Sequence, residues 1–209
     1  MSPTEAQSRS GSRPVEAGGD DWLRRPTRLW SWPALLAEGA LPPSPGVYGW
    51  YFLDLPATVP VSDCHTLHGW TLAYVGIAPR PPTRAGRASS QNLAKRLRMH
   101  FGGTAFGSTL RFSLGCLLAG QLGLEYRRFG RSLGFGRTGE TALSAWMHDH
   151  ARVALQVHDE PWLEEERCIG ALSLPLNLKG NEQHPFHPAL SLLRRTAAAS
   201  ARVLPALAR

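Results

Sequence analysis

Two short apolar runs and a series of helically spaced segments organise the chain. "GVYGWYFLDL" (46–55) is rich in aromatic and β-branched side chains and lies between Pro45 and Pro56, which predicts a strand. Alternation puts Tyr48, Trp50 and Phe52 on one face and Tyr51 on the other. "WTLAYVGI" (70–77) predicts a second strand, joined to the first by a polar loop over 56–69 as a long-looped hairpin. The same alternation places Leu72, Tyr74 and Gly76 together, with Gly76 leaving room for a backbone or a phosphate to come close. In "SSQNLAKRLRMHF", Leu93, Leu97 and Phe101 recur at helical spacing after a Ser89 or Ser90 cap.

Further along, "GSTLRFSLGCLLAGQLG" and "TGETALSAWMHDHA" predict helices, the second capped by Thr138. "RVALQVHD" alternates as a third strand, and "EPWLEEERCIGALSL" is an amphipathic helix. "PLNLKGNEQHPFHP" is a loop, and "PALSLLRRTAAASARVL" closes the chain as a helix. Residues 1–21 are polar and rich in Gly, Ser and Pro and read as a disordered tail. Residues 22–43 form an extension with a short helix, Trp32–Glu38. Residues 44–180 make the main domain, and 181–209 a loop and helix packing on it. The fold class is α+β: a small three-stranded antiparallel or mixed sheet flanked by helices.

Length and composition fit that outline. The 209 residues are 43 % hydrophobic, enough for one domain with a real core. Neither a membrane-length apolar run nor a leader-like N-terminal segment stands in the sequence, so a cytoplasmic protein is expected. A net charge of +7 favours a polyanionic partner, nucleic acid above all. Cys64, Cys116 and Cys168 lack zinc-site spacing and read as buried reduced thiols.

Four features follow in chain order: Gly46-Val47-Tyr48 on a strand, Tyr74-Val75-Gly76 on a strand, "NLAKRLRMHF" on a helix, and "EEERCIGALSLPLN" on a second helix. Glu165 is followed by Cys168 and Ile169 at three and four residues and by Asn177 at twelve, whereas Glu164 and Glu166 do not fit both spacings. This order resembles the GIY-YIG nuclease superfamily over residues 44–180. The resemblance implies an α/β/α sandwich and a DNA endonuclease that uses Mg²⁺ or Mn²⁺ and leaves 5′-phosphate and 3′-hydroxyl ends. It implies catalytic roles for Tyr48, Tyr74, Arg96, His100, Glu165 and Asn177, with Glu165 as metal ligand and Asn177 as a holding group.

Each residue type suits its role. A phenol is a weak base at neutral pH unless cations favour its ionised form. Arg96 can hold two phosphate oxygens and stabilise charge on a pentacovalent phosphorus. His100, one turn after Arg96, is suited to moving a proton, and resembles restriction-type members of the family, where the repair branch has Tyr. One carboxylate with waters and phosphate oxygens is a usual Mg²⁺ environment. The Lys of the repair branch is replaced by Ile77.

DNA contacts are expected from Arg80, Arg84, Arg87, Lys95, Arg98, Arg111 and Asn181. A restriction-like enzyme of this size would cut both strands as a homodimer on DNA or in two successive events. The rivals are a structure-specific repair or mobile-element nuclease, and a non-catalytic nucleic-acid-binding module on a decayed nuclease fold.

Overall fold

The computed structural model describes residues 21–82, 86 and 89–207. In chain order these form α1 (Asp21–Arg24), α2 (Trp32–Ala37), β1 (Gly46–Phe52), β2 (Thr66–Leu67), β3 (Trp70–Ala78), α3 (Leu93–Gly102), α4 (Thr109–Leu117) and α5 (Ala119–Leu122). There follow β4 (Arg127–Phe129), β5 (Ser132–Gly134), α6 (Gly136–His150), β6 (Ala151–Val157), α7 (Pro161–Ala171) and α8 (His187–Val203). The tail predicted over 1–21 lies outside the described residues except for Asp21, which begins α1. None of the described helices is long and apolar enough to cross a membrane.

The main sheet has four strands in the order β2-β3-β1-β6, one more than predicted. The extra strand, β2, lies in the expected loop and turns into β3 through His68 and Gly69, both at positive φ (50° and 84°). That is the backbone of a two-residue hairpin turn. A second hairpin, β4-β5, was not predicted either; "RRFGRSLG" is too rich in arginine to show strand alternation.

β1 is central and buried along its whole length, paired antiparallel to β3 and β6. Both of its faces are covered, which is why it reads as a nearly continuous apolar run. Tyr48, Trp50 and Phe52 enter one core with Leu93, Leu97 and Phe101 of α3. Val47 and Tyr51 enter the other, with Leu23 of α1 and Cys168 of α7. The result is an α/β/α sandwich, as the sequence implied. All three cysteines are buried.

One departure moves a residue between these cores. Trp50 pairs with Tyr74 but Tyr51 with Leu72, so Ala73 is an extra residue in β3. This bulge reverses the alternation. Tyr74 stays on the Tyr48 face, while Leu72, expected beside it, packs in the opposite core.

The sheet edges are covered by local devices. Trp30 exchanges backbone hydrogen bonds with Val153 of β6. On the other side β2 shields only the start of β3, leaving Ala73–Ile77 without a strand partner. The segment after α7 fills that edge. Leu176 N–H donates to Ala73 O, and the Asn177 side-chain amide both accepts from Val75 N–H (2.8 Å) and donates to Val75 O (2.9 Å). A side chain thus substitutes for a strand where the orphan backbone groups need partners.

Several boundaries shifted. α3 is capped by Asn92, whose carbonyl oxygen accepts from Lys95 N–H, rather than by Ser89 or Ser90. α6 begins at Gly136, two residues before the expected Thr138 cap, and one predicted helix is split at Leu118 into α4 and α5.

Candidate active site

Tyr48, Tyr74, Arg96, Glu165 and Asn177 line one cavity of about 630 Å³ at the β3 side of the sheet. β1 and β3 supply the tyrosines, α3 supplies Arg96 and His100, and α7 with its following segment supplies Glu165 and Asn177. The Asn177–Val75 bonds carry this last segment across the sheet edge, so that Glu165 reaches the same cavity as residues from the opposite layer.

Tyr48 is fully buried on β1 directly opposite Gly76 of β3. A Cβ at residue 76 would stand 2.6 Å from the Tyr48 hydroxyl oxygen and 2.8 Å from its ring carbon Cζ. The Tyr48 ring therefore comes close to Gly76. The hydroxyl lies 2.8 Å from His100 Nε2, and Arg96 Nε donates to it at 3.3 Å. Arg96 is steadied by donation from its terminal nitrogen to Gly107 O.

His100 is completely buried, not at the surface, with Nδ1 2.8 Å from Ser108 Oγ. Ser108 Oγ also accepts from Arg111 N–H as the cap of α4. The chain Ser108–His100–Tyr48 is continuous, and the Arg96 N–H aimed at the Tyr48 oxygen leaves its O–H free to point at His100. Burial first, then the charges of Arg96 and Arg111, push the His100 pKa well below its ordinary value, so the imidazole is neutral. Burial and then Tyr74 push the Tyr48 phenol up, and this outweighs the opposing pull of Arg96.

The three consecutive glutamates have different fates. Glu164 is buried, accepts from Trp22 Nε1 and pairs with Arg167. Glu165 faces the cavity, and no side chain among the described residues hydrogen-bonds its carboxylate. Burial raises its pKa, opposed by Lys179, Arg80 and Arg96. A half-buried carboxylate without a partner, open to a cavity, fits a hard divalent cation completed by water and phosphate oxygens. Among the described residues no cluster of three metal-ligating side chains exists. Among the described residues that line the cavity, Glu165 is the one carboxylate.

The expected DNA contacts divide. Arg80 lines the cavity and is exposed. Lys95 and Arg98 are exposed on α3 outside it, and Arg84 and Arg87 lie outside the described residues. Arg111 cannot meet a phosphate: it is fully buried, ion-paired to Glu140 at 2.8 Å, and donates to the carbonyls of His100 and Phe101. Asn181 is also buried, its amide donating to Leu174 O and Asn177 O. Both brace the site rather than face DNA.

Residues 46–196 match the family model of the GIY-YIG catalytic domain. The chain belongs to the GIY-YIG family. That stretch is most of the sequence, and the match supports a nuclease of the GIY-YIG type. Neither the curated proteins nor the solved structures yield a match.

Sequence reasoning did not pick out Ser108, Thr109, Lys179 or Arg194. Lys179 stands two residues after Asn177 in the same loop and was findable from that spacing. Ser108 precedes a helical pattern in the manner of an N-cap. Thr109 carried no local signal.

Proposed function

We propose that this GIY-YIG protein is a divalent-metal-dependent DNA endonuclease that hydrolyses a phosphodiester to 5′-phosphate and 3′-hydroxyl ends. The observation that carries this is the buried Tyr48, bonded to His100 and Arg96, in one cavity with Glu165, whose carboxylate has no side-chain hydrogen bond among the described residues.

Glu165 would hold the ion, Mg²⁺ or Mn²⁺, whose chemistry when bound is to stabilise negative charge on the departing 3′ oxygen. The side chains do the rest. Arg96 binds equatorial phosphate oxygens and holds them more tightly as they gain charge. Water attacks phosphorus opposite the leaving oxygen. Its proton passes to the Tyr48 oxygen as the Tyr48 hydroxyl proton moves to His100 Nε2. The bond from phosphorus to the 3′ oxygen breaks, and that oxygen takes a proton from solvent.

In the free protein both proton carriers resist charge. A phosphate bound to Arg96 offsets one of the two cations that keep His100 neutral, so substrate itself improves the proton acceptor. His100 at this position also resembles restriction-type members, which favours cleavage of a defined duplex sequence over recognition of branched DNA.

The test uses supercoiled plasmid, short duplexes and branched DNAs with Mg²⁺, Mn²⁺ or EDTA, beside Glu165→Ala and Tyr48→Phe. Metal-dependent cutting lost in both variants is expected. Cutting that survives Glu165→Ala removes the metal assignment. Binding without cleavage under every ion would mean a decayed nuclease.

A further inference from the structure

Along α8, Leu190, Arg194, Ala197 and Ala201 recur at helical spacing, and Leu190 and Ala201 are fully buried. Arg194 therefore occupies the packed face of an otherwise ordinary amphipathic helix. Two other withdrawn arginines each have a carboxylate: Arg111 meets Glu140 and Arg127 meets Glu125. Arg194 has no carboxylate within ion-pair reach among the described residues. Its guanidinium lies over the Phe112 ring at 4.8 Å, one terminal nitrogen donates to Ser113 Oγ at 3.3 Å, and the group opens into the cavity beside Thr109 and Tyr74. Its other N–H groups find no protein acceptor among the described residues. Burial lowers its pKa with no carboxylate to oppose the shift.

Taking a cation out of water without a counter-charge is costly. Fixing it against an aromatic ring and a hydroxyl makes sense where an anion arrives later. We propose that Arg194, which shares the cavity with Thr109, binds a second phosphate of the DNA strand, flanking the scissile phosphate. This rests on the nuclease function proposed above.

Arg194 and Glu165 line the same cavity, together with Tyr74 and Arg96. The cavity, about 630 Å³, has the size of a site for a drug-sized ligand rather than a single phosphate.

The experiment compares wild type with Arg194→Ala, Arg194→Lys and Arg194→Gln. It measures steady-state cleavage, DNA binding in EDTA across a salt series, and thermal melting. Duplexes carrying one uncharged methylphosphonate at each position around the cut complete the set. Arg194→Ala is expected to raise KM and Kd about ten-fold, the scale of one charged hydrogen-bonded contact, with kcat little changed. The slope of log Kd against log salt should fall by about 0.9, one phosphate contact. Arg194→Lys should restore the slope and part of the affinity. One flanking methylphosphonate should weaken wild type as much as Arg194→Ala does, and be silent in that variant.

If Arg194→Ala melts early, Arg194→Gln, which keeps a donor for Ser113, replaces it in every comparison. Unchanged KM and salt slope in a normally melting variant overturn the proposal. So does a weakened variant in which every methylphosphonate keeps its full effect. Wild type that binds DNA but cuts none counts against the nuclease function alone, and the salt slopes then still decide Arg194.

Discussion

Gly76→Ala tests the idea that the backbone pairing of β1 with β3 sets the position of the reacting phenol. The added Cβ would lie 2.6 Å from the Tyr48 oxygen, 2.8 Å from Cζ and 2.9 Å from Cε2. Ordinary contact begins near 3.4 Å, so the ring must retreat by roughly 0.6–0.8 Å or the strands must part. Tyr48 is 1 % exposed, so retreat disturbs its contacts with His100 and Arg96, which hold its hydroxyl at 2.8 and 3.3 Å. Overpacking of this kind costs about 1–3 kcal/mol, which for a chain of this length lowers Tm by about 2–12 °C. A displacement approaching 1 Å at a reacting group costs on the order of 10²-fold in rate. The assay is kcat for duplex cleavage beside a melting curve. A larger loss in kcat than the modest drop in Tm accounts for is expected at a temperature where the variant stays folded. Wild-type kcat in Gly76→Ala would refute the claim that Tyr48 is held in place by this contact.

Other consequences are smaller in scope. Tyr48→Phe should cut activity by about 10²–10⁴-fold, the range of acid–base catalysis, while circular dichroism stays that of wild type; retained turnover removes Tyr48 from proton transfer. His100 is neutral when folded and has an ordinary pKa when unfolded, so the unfolded chain binds more protons below about pH 6.5. Stability present above that pH is therefore lost as pH falls, at up to about 1.4 kcal/mol per unit, and His100→Gln should lack this part of the slope in denaturant titrations. Glu165 is flanked by cations, so Mn²⁺ should bind weakly to free protein and more tightly with DNA present, as read by the signal of free Mn²⁺. Equal affinity in both states would contradict the phosphate-completed site. Because burial raises the Glu165 pKa, this affinity should weaken with falling pH sooner than for an ordinary carboxylate. Arg111→Ala should lower stability by about 3–5 kcal/mol, the cost of breaking a buried pair, and denaturant melts check this. A loss of DNA affinity with unchanged stability would return Arg111 to the DNA contacts.

The chain's local patterns determined a good deal. The faces of β1, the apolar side of α3 and the helix that carries Glu165 were legible because they depend on a period of two or 3.6 residues over a few turns. The motif spacing also separated Glu165 from Glu164 and Glu166, and only Glu165 of the three lines the cavity. Leu72 was misplaced because a single inserted residue, Ala73, inverts a strand's faces, and no composition signal marks a bulge in an apolar run.

Charged and polar residues were the least legible. Arg111 and Arg80 look alike in sequence, yet one is sealed beneath α3 against Glu140 and the other is exposed at the cavity. Which cation meets solvent is decided by elements far away in the chain, α6 for Arg111 and the docking of α8 for Arg194. His100 shows the same dependence: helical spacing put it beside Arg96, but its neutrality came first from burial, then from the charges of Arg96 and Arg111. Periodicity is short-ranged and survives in the sequence. Desolvation and pairing are properties of the packed molecule, and only the tertiary structure decided them.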